Sequence, residues 1–195
     1  YLYTCHTMFS LLFTQPALFF VLLLSIVFAL SFHEFGHAFV SYLLGDETAK
    51  RAGRLTLNPL SHLDPFGFIL MVVVGFGWAK PVPFNPYNLK WKKWGPVVVS
   101  LAGPFFNLIL AVVAGLSFRV LNSVGILGEG NALLIFLFFL VIYNLGLMVF
   151  NLIPIPPLDG SRLLFLVLDH FNMTNLRNRL EMQGSWVLFM VIIFD

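Results

Sequence analysis

Apolar residues arrive in long runs, and the polar positions between them are too sparse to alternate. This pattern predicts helices resident in a membrane over about 16–44, 96–121 and 132–153, and the start of another over 183–195. The first three reach the roughly 20 residues a helix needs to cross the hydrocarbon core. The last stops at Asp195 before reaching that length. Pro16 suits a helix start and Gly45 a helix end. Between the first two runs, Arg54–Leu57 alternates polar with apolar residues and reads as a short strand. Phe66–Trp78 is apolar but too short to cross. Gly67, Gly75 and Gly77, with Pro81 and Pro83 behind them, argue against one continuous helix there. The expected fold class is therefore membrane α-helical. It has a three-span core, a strand and re-entrant hairpin over about 54–86, and a further C-terminal span only partly present. Neither a repeat nor a linker divides the chain, so 1–195 is read as one integral-membrane domain.

Composition strengthens this picture. Only 10% of residues are charged, against roughly a quarter in soluble domains, and 59% are apolar with 23 phenylalanines. The single cysteine, Cys5, excludes an internal disulfide. A net charge of +2, with the cations in loops, does not suggest nucleic acid. Those cations set an orientation. Lys50, Arg51, Arg54, Lys80, Lys90, Lys92 and Lys93 lie between the first two spans, and Arg162, Arg177 and Arg179 follow the third. Positive loops stay in the cytoplasm, so the N-terminus is expected outside, provided Phe66–Trp78 does not cross. Trp91 and Trp94 among the lysines read as an interfacial anchor. The first residue is not Met and the last run is short, so the chain is expected to be a piece of a slightly longer protein. The first run is too long for a signal peptide.

Within the first run stands His33-Glu34-Phe35-Gly36-His37. Residues four apart share a helix face about 6 Å along the axis, so both imidazoles can reach one metal ion. Glu34 beside them could take a proton from a nucleophilic water. Ionisable residues in an apolar span are expensive and default to function, the alternative being histidines bonded to neighbouring helices or snorkelling. A catalytic zinc takes three protein ligands, which leaves one to find among Asp46, Glu47, Asp64, Asp159, Asp169 and Glu181. Asp46 and Glu47 follow the same helix too closely to fold back, and Asp64 before Pro65 more simply makes a turn. Asp159 follows Pro154, Pro156 and Pro157, which forbid helix. Gly160 after it would permit a reversal, and Ser161 could cap the next helix. The alternative, that Asp159 simply caps or makes a turn, stays open. Asn151, ending the third span, could donate to an oxyanion or simply make an interhelical bond. His62 sits in a proline-rich turn and is expected to order it. Gly103, Pro104 and Asn107 are expected to serve close packing and one buried hydrogen bond.

Taken together, HEFGH at His33–His37, AGP-x-x-N at Ala102–Asn107 and the proline-rich Asn151–Gly160 resemble the site-2 protease family of intramembrane zinc metalloproteases. The resemblance covers nearly the whole chain. Asn58–Gly67 and Phe76–Pro86 are similar to its compact prokaryotic branch, which has no PDZ domain. The resemblance implies one Zn2+ held by His33, His37 and Asp159, Glu34 as general base, and Asn151 assisting the oxyanion or substrate. It further implies cleavage of a partner's locally unwound transmembrane segment within a prokaryotic cell membrane. Two other readings compete. A membrane metal transporter or sensor could use the His pair as a transit site, and would favour more polar residues along one path. A prenyl-protein-type protease shares HExxH but wants a glutamate ligand, and Glu129 and Glu181 lie outside the apolar runs.

Overall fold

The computed structural model describes residues 8–75, 77–125, 127–128 and 130–194. Cys5, His6, Glu129 and Asp195 lie outside the described residues. A short helix α1 (Met8–Thr14) leads into α2 (Pro16–Leu43), where Pro16 takes the first helical turn. Helix α3 (Thr48–Arg51) and α4 (Pro65–Val74) precede α5 (Gly95–Val124), α6 (Ala132–Asn151), α7 (Gly160–His170) and α8 (Thr174–Phe194). Three of these, α2, α5 and α6, are long and apolar enough to cross a membrane. Their bounds lie within three residues of the expected ones. The stretch expected to open a fourth span lies inside α8, which starts earlier, in a polar segment.

Helices α2, α5 and α6 each pack on the other two. Small side chains bring them close: Ala29 and Ala114 are buried in one cluster with Leu137 and Leu140. Without a hydrophobic drive between helices in lipid, such close van der Waals contact is what holds them together. Gly36 of α2 touches α5 so nearly that a Cβ there would stand 2.8 Å from the Ala102 carbonyl. The outer faces present Phe20, Val112, Leu116 and Val149 to the surroundings, as a bilayer requires.

Between α2 and α5 the expectation needs correcting. Among the described residues no strand forms at Arg54–Leu57. Arg54 is buried, and its guanidinium donates to the carbonyls of Ser61, Lys80 and Pro81. Four residues of alternation were too little to specify a ladder against that demand for buried acceptors. Antiparallel pairing occurs further on, as a single bridge between Leu63 and Ala79 beside a Lys80 N–H bond to the His62 carbonyl at 2.8 Å. His62 itself orders the turn through Nε2 and the Thr56 carbonyl. The apolar stretch is a real helix, α4, with Asp64 accepting from Gly67 N–H at its start and Gly75 (φ 87°) closing it. Ten residues rise about 15 Å, half a hydrocarbon core. The glycines sit at its edges: Gly67 and Gly77 let the chain return along the helix, since a Cβ on Gly67 would run into the Trp78 carbonyl.

Candidate metal centre

Helix α2 delivers His33 and His37 on one face, and both rings are held from α5. His33 Nδ1 meets Asn107 Oδ1 at 2.6 Å, and His37 Nδ1 donates to the Val99 carbonyl at 2.8 Å. The rings stand at 85° to each other, with their Nε2 atoms 3.1 Å apart. Room for them comes from Gly103. A Cβ there would run into His37 Nε2 and stand 2.6 Å from His33 Cε1. Pro104, inside α5, interrupts the helix ladder in the turn that also supplies the Val99 acceptor.

Asp159 comes from the other side. After α6 the chain folds back through the proline-rich strip, and α7 starts hard against the end of α6. Gly160 makes this approach possible because it lacks a side chain: a Cβ would stand 2.6 Å from the Leu152 carbonyl carbon. The residue was expected to serve through a permissive turn, yet its role is steric. Asp159 occupies the N-cap position of α7 but its side chain makes no capping bond. Ser161, expected as a cap, lies within α7 and donates to the Leu158 carbonyl. The Asp159 carboxylate is spent instead on the histidines, with Oδ2 3.1 Å from His33 Nε2 and 3.3 Å from His37 Nε2.

These three side chains could hold a metal ion, their ligand atoms all lying within 4.8 Å of one another. The local chemistry fits one. Val99 O can only accept, and both amide hydrogens of Asn107 are committed elsewhere, so each histidine donates through Nδ1. A neutral imidazole then has a bare lone pair at Nε2. Asp159 Oδ2 is buried without a hydrogen-bond donor. Three lone pairs facing one another in a buried site are mutually repulsive unless a cation stands among them. Two imidazoles and one carboxylate, with a fourth position free, form a donor set suited to catalytic zinc.

A cleft of about 1150 Å³ opens onto this group, lined by His33, Glu34, His37, Asn151, Asp159 and Arg162 among others. Glu34 is nearly buried, and its Oε2 accepts from the Val82 N–H at 3.0 Å. The returning segment after α4 thus runs along the cleft and holds the glutamate. Asn151 lines the same cleft at the end of α6 and donates to the Leu147 carbonyl. Asp46, Asp64, Asp169 and Glu181 are engaged elsewhere. Asn107 belongs with the site more closely than expected: one buried hydrogen bond was foreseen and it makes three, one of them to a candidate ligand. The signal was its amide in an apolar run, a polar side chain that had to find a partner. Val82 contributes only backbone, which leaves no trace in side-chain patterns.

Comparison with known proteins gives the chain a family. Residues 124–194 match peptidase family M50, a stretch that includes Asn151 and Asp159. A Bacillus subtilis protein described as "Putative zinc metalloprotease YwhC" is 44% identical over 146 residues, covering 73% of this chain and 67% of that protein. Rip2 of Mycolicibacterium smegmatis, described in the same words, is 36% identical over 142 residues, and Rip2 of Mycobacterium tuberculosis 36% over 141. The chain spans about half the length of the Rip2 proteins, 51% in each case. No solved structure matches it. Identity at this level over two thirds of a relative, with apolar helices around a His-His-Asp cluster, places the chain in peptidase family M50, as a zinc metalloprotease of the site-2 protease type.

Proposed function

We propose that this chain is an endopeptidase that cuts partner proteins in or near their transmembrane segments, in the manner of regulated intramembrane proteolysis. In this reading residues 1–195 act as one membrane-embedded peptidase domain. The observation that carries it is the convergence of His33 Nε2, His37 Nε2 and Asp159 Oδ2 at the base of a cleft between apolar helices. Those three would hold the zinc. When bound, zinc supplies Lewis acidity toward a carbonyl oxygen and toward water.

Glu34 stands beside the ligands with one carboxylate oxygen held by Val82, which aims the other without neutralising it. It accepts a proton from the attacking water and returns it to the leaving amine. Asn151 keeps one amide hydrogen on the Leu147 carbonyl and donates the other to the oxygen on which charge develops. A transmembrane helix keeps its carbonyls in i to i−4 bonds, so the substrate enters locally unwound, and Gly or Pro in it lowers that cost. The extended return from Trp78 to Phe84 borders the cleft and offers backbone groups to such a segment.

Metal transit is not favoured. Asn107 and Asn144 are fully buried and bonded to each other, so they do not line a polar path. The test is cleavage of a model transmembrane substrate alongside zinc content. Glu34→Gln is expected to lower cleavage at least about a hundredfold with zinc retained, and Asp159→Ala to lose both. Cleavage by Glu34→Gln at the wild-type rate, or stoichiometric zinc in Asp159→Ala, overturns these roles.

A further inference from the structure

Two asparagines buried deep in the helix core are joined end to end. Asn144 of α6 and Asn107 of α5 have no exposed surface. Each amide has an unambiguous direction. Asn144 Nδ2 donates to the Leu140 carbonyl at 2.7 Å, which leaves its Oδ1 as an acceptor. Asn107 Nδ2 donates to that Oδ1 at 2.7 Å and to the Ala29 carbonyl at 3.1 Å. Both of its hydrogens are then used, so Oδ1 is the atom left facing His33 Nδ1 at 2.6 Å. An oxygen there can only accept, so the imidazole must carry its proton on Nδ1. Reverse the Asn107 amide and its oxygen would face the Ala29 carbonyl and Asn144 Oδ1, three acceptors with no donor among them, while its NH2 turned to the ring. A low-dielectric core makes that arrangement expensive.

We propose that Asn144 and Asn107 form a one-way hydrogen-bond chain that fixes His33 as its Nδ1–H tautomer, so that the third membrane helix takes part in presenting the Nε2 lone pair to the metal. The proposal rests on the zinc reading above. Both asparagines are positioning residues, since neither touches substrate or metal. Outer partners of a ligating histidine fix its tautomer and orientation and raise its basicity. The usual orienter is a carboxylate or a backbone carbonyl, and His37 uses the latter through Val99. The two ligands therefore differ in kind. His37 is oriented by backbone that no substitution removes, and His33 by side chains whose direction is set from α6.

The experiment uses the full chain in detergent and two readouts other than activity: zinc affinity by competition with a fluorescent chelator, and 15N spectra of histidine nitrogens in metal-stripped protein. The His33 signal is assigned by its loss in His33→Gln. Wild type is expected to show His33 protonated on Nδ1. Asn107→Leu removes the acceptor and is expected to weaken zinc by roughly 10–100-fold. Asn107→Asp keeps the acceptor toward His33 while losing the amide donors, and is expected to hold zinc better than Asn107→Leu. A purely structural role predicts the reverse, with Asp at least as harmful as Leu. Asn144→Leu leaves the Asn107 amide free to turn, so part of the His33 signal is expected to move to the Nε2–H form. Should Asn107→Leu not fold, the wild-type and Asn144→Leu spectra still decide. An Nε2–H His33 in wild type, or Asp as damaging as Leu, overturns the chain. Zinc bound normally by Asp159→Ala refutes the ligand set instead, and the tautomer spectrum reads independently of it.

Discussion

At position 103 a hydrogen atom where other residues carry carbon decides whether two imidazoles fit beside α5. A Cβ there has nowhere to go, because both rings are pinned through Nδ1 and their far edges lie against the backbone. Gly103→Ala is therefore expected to weaken zinc at least about tenfold, read as metal content after dialysis against a chelator. Alanine is otherwise the better helix former by about 1 kcal/mol. A variant that is more heat-stable and equally zinc-loaded would mean the glycine serves packing alone. This residue shows how far sequence reading reached. His33, Glu34 and His37 were legible because one helix sets their spacing. Asp159 was legible as a candidate, since prolines and a glycine mark a sharp reversal, but the reversal depends on a steric approach to Leu152 that no local pattern encodes. Asn107 was visible as a buried amide, and only the crossing of α5 over α2 names its partner.

The loop elements between α2 and α5 are held by a second buried carboxylate. Asp46, with no exposed surface, accepts from Ser41 Oγ, Thr48 N–H and Oγ1, Asn85 N–H at 2.7 Å and Asn88 Nδ2 at 3.0 Å. It thereby ties the end of α2 to α3 and to the turn that precedes α5. Burial pushes its pKa up, but the hydrogen bonds from Thr48, Asn88 and Asn85 outweigh burial and bring it down to about 2. A carboxyl group depressed on folding stabilises the fold above its unfolded value near 4 and loses that contribution as pH falls toward 2. The expected loss is about 2 kcal/mol across that window. Thermal unfolding in detergent at pH 5, 4, 3 and 2 should show wild type falling more steeply than Asp46→Asn, and parallel curves would exclude the clamp. Asp46 was set aside from the sequence as too close to α2 to be a metal ligand, which its other bonds explain. The short strand expected at 54–57 failed for a related reason. A buried arginine recruited three carbonyls from two segments, and that choice is made by tertiary structure, not by alternation.

Placed in a bilayer, the three long helices give the molecule a direction. Helix α5 has 30 residues and so rises about 45 Å, enough to carry its ends past both edges of the hydrocarbon core. One end follows the exposed Lys92 and Lys93, and the other approaches Asn122. The excess of basic residues before α5 predicts that this end faces the cytoplasm. Helix α2 would then run inward, with His33, ten residues before its end at Leu43, about 15 Å from the cytoplasmic end. On that orientation water would reach the site by the shorter inner route, and the loops that hold Glu34 through Val82 would be cytoplasmic too. The orientation is testable with Cys5 replaced by serine and single cysteines introduced at exposed ends. In intact cells a membrane-impermeant maleimide is expected to label Asn122→Cys, and to reach Lys92→Cys only after permeabilisation. The opposite pattern would invert the molecule. It would place the site nearer the outer face and require substrates to be cut from that side.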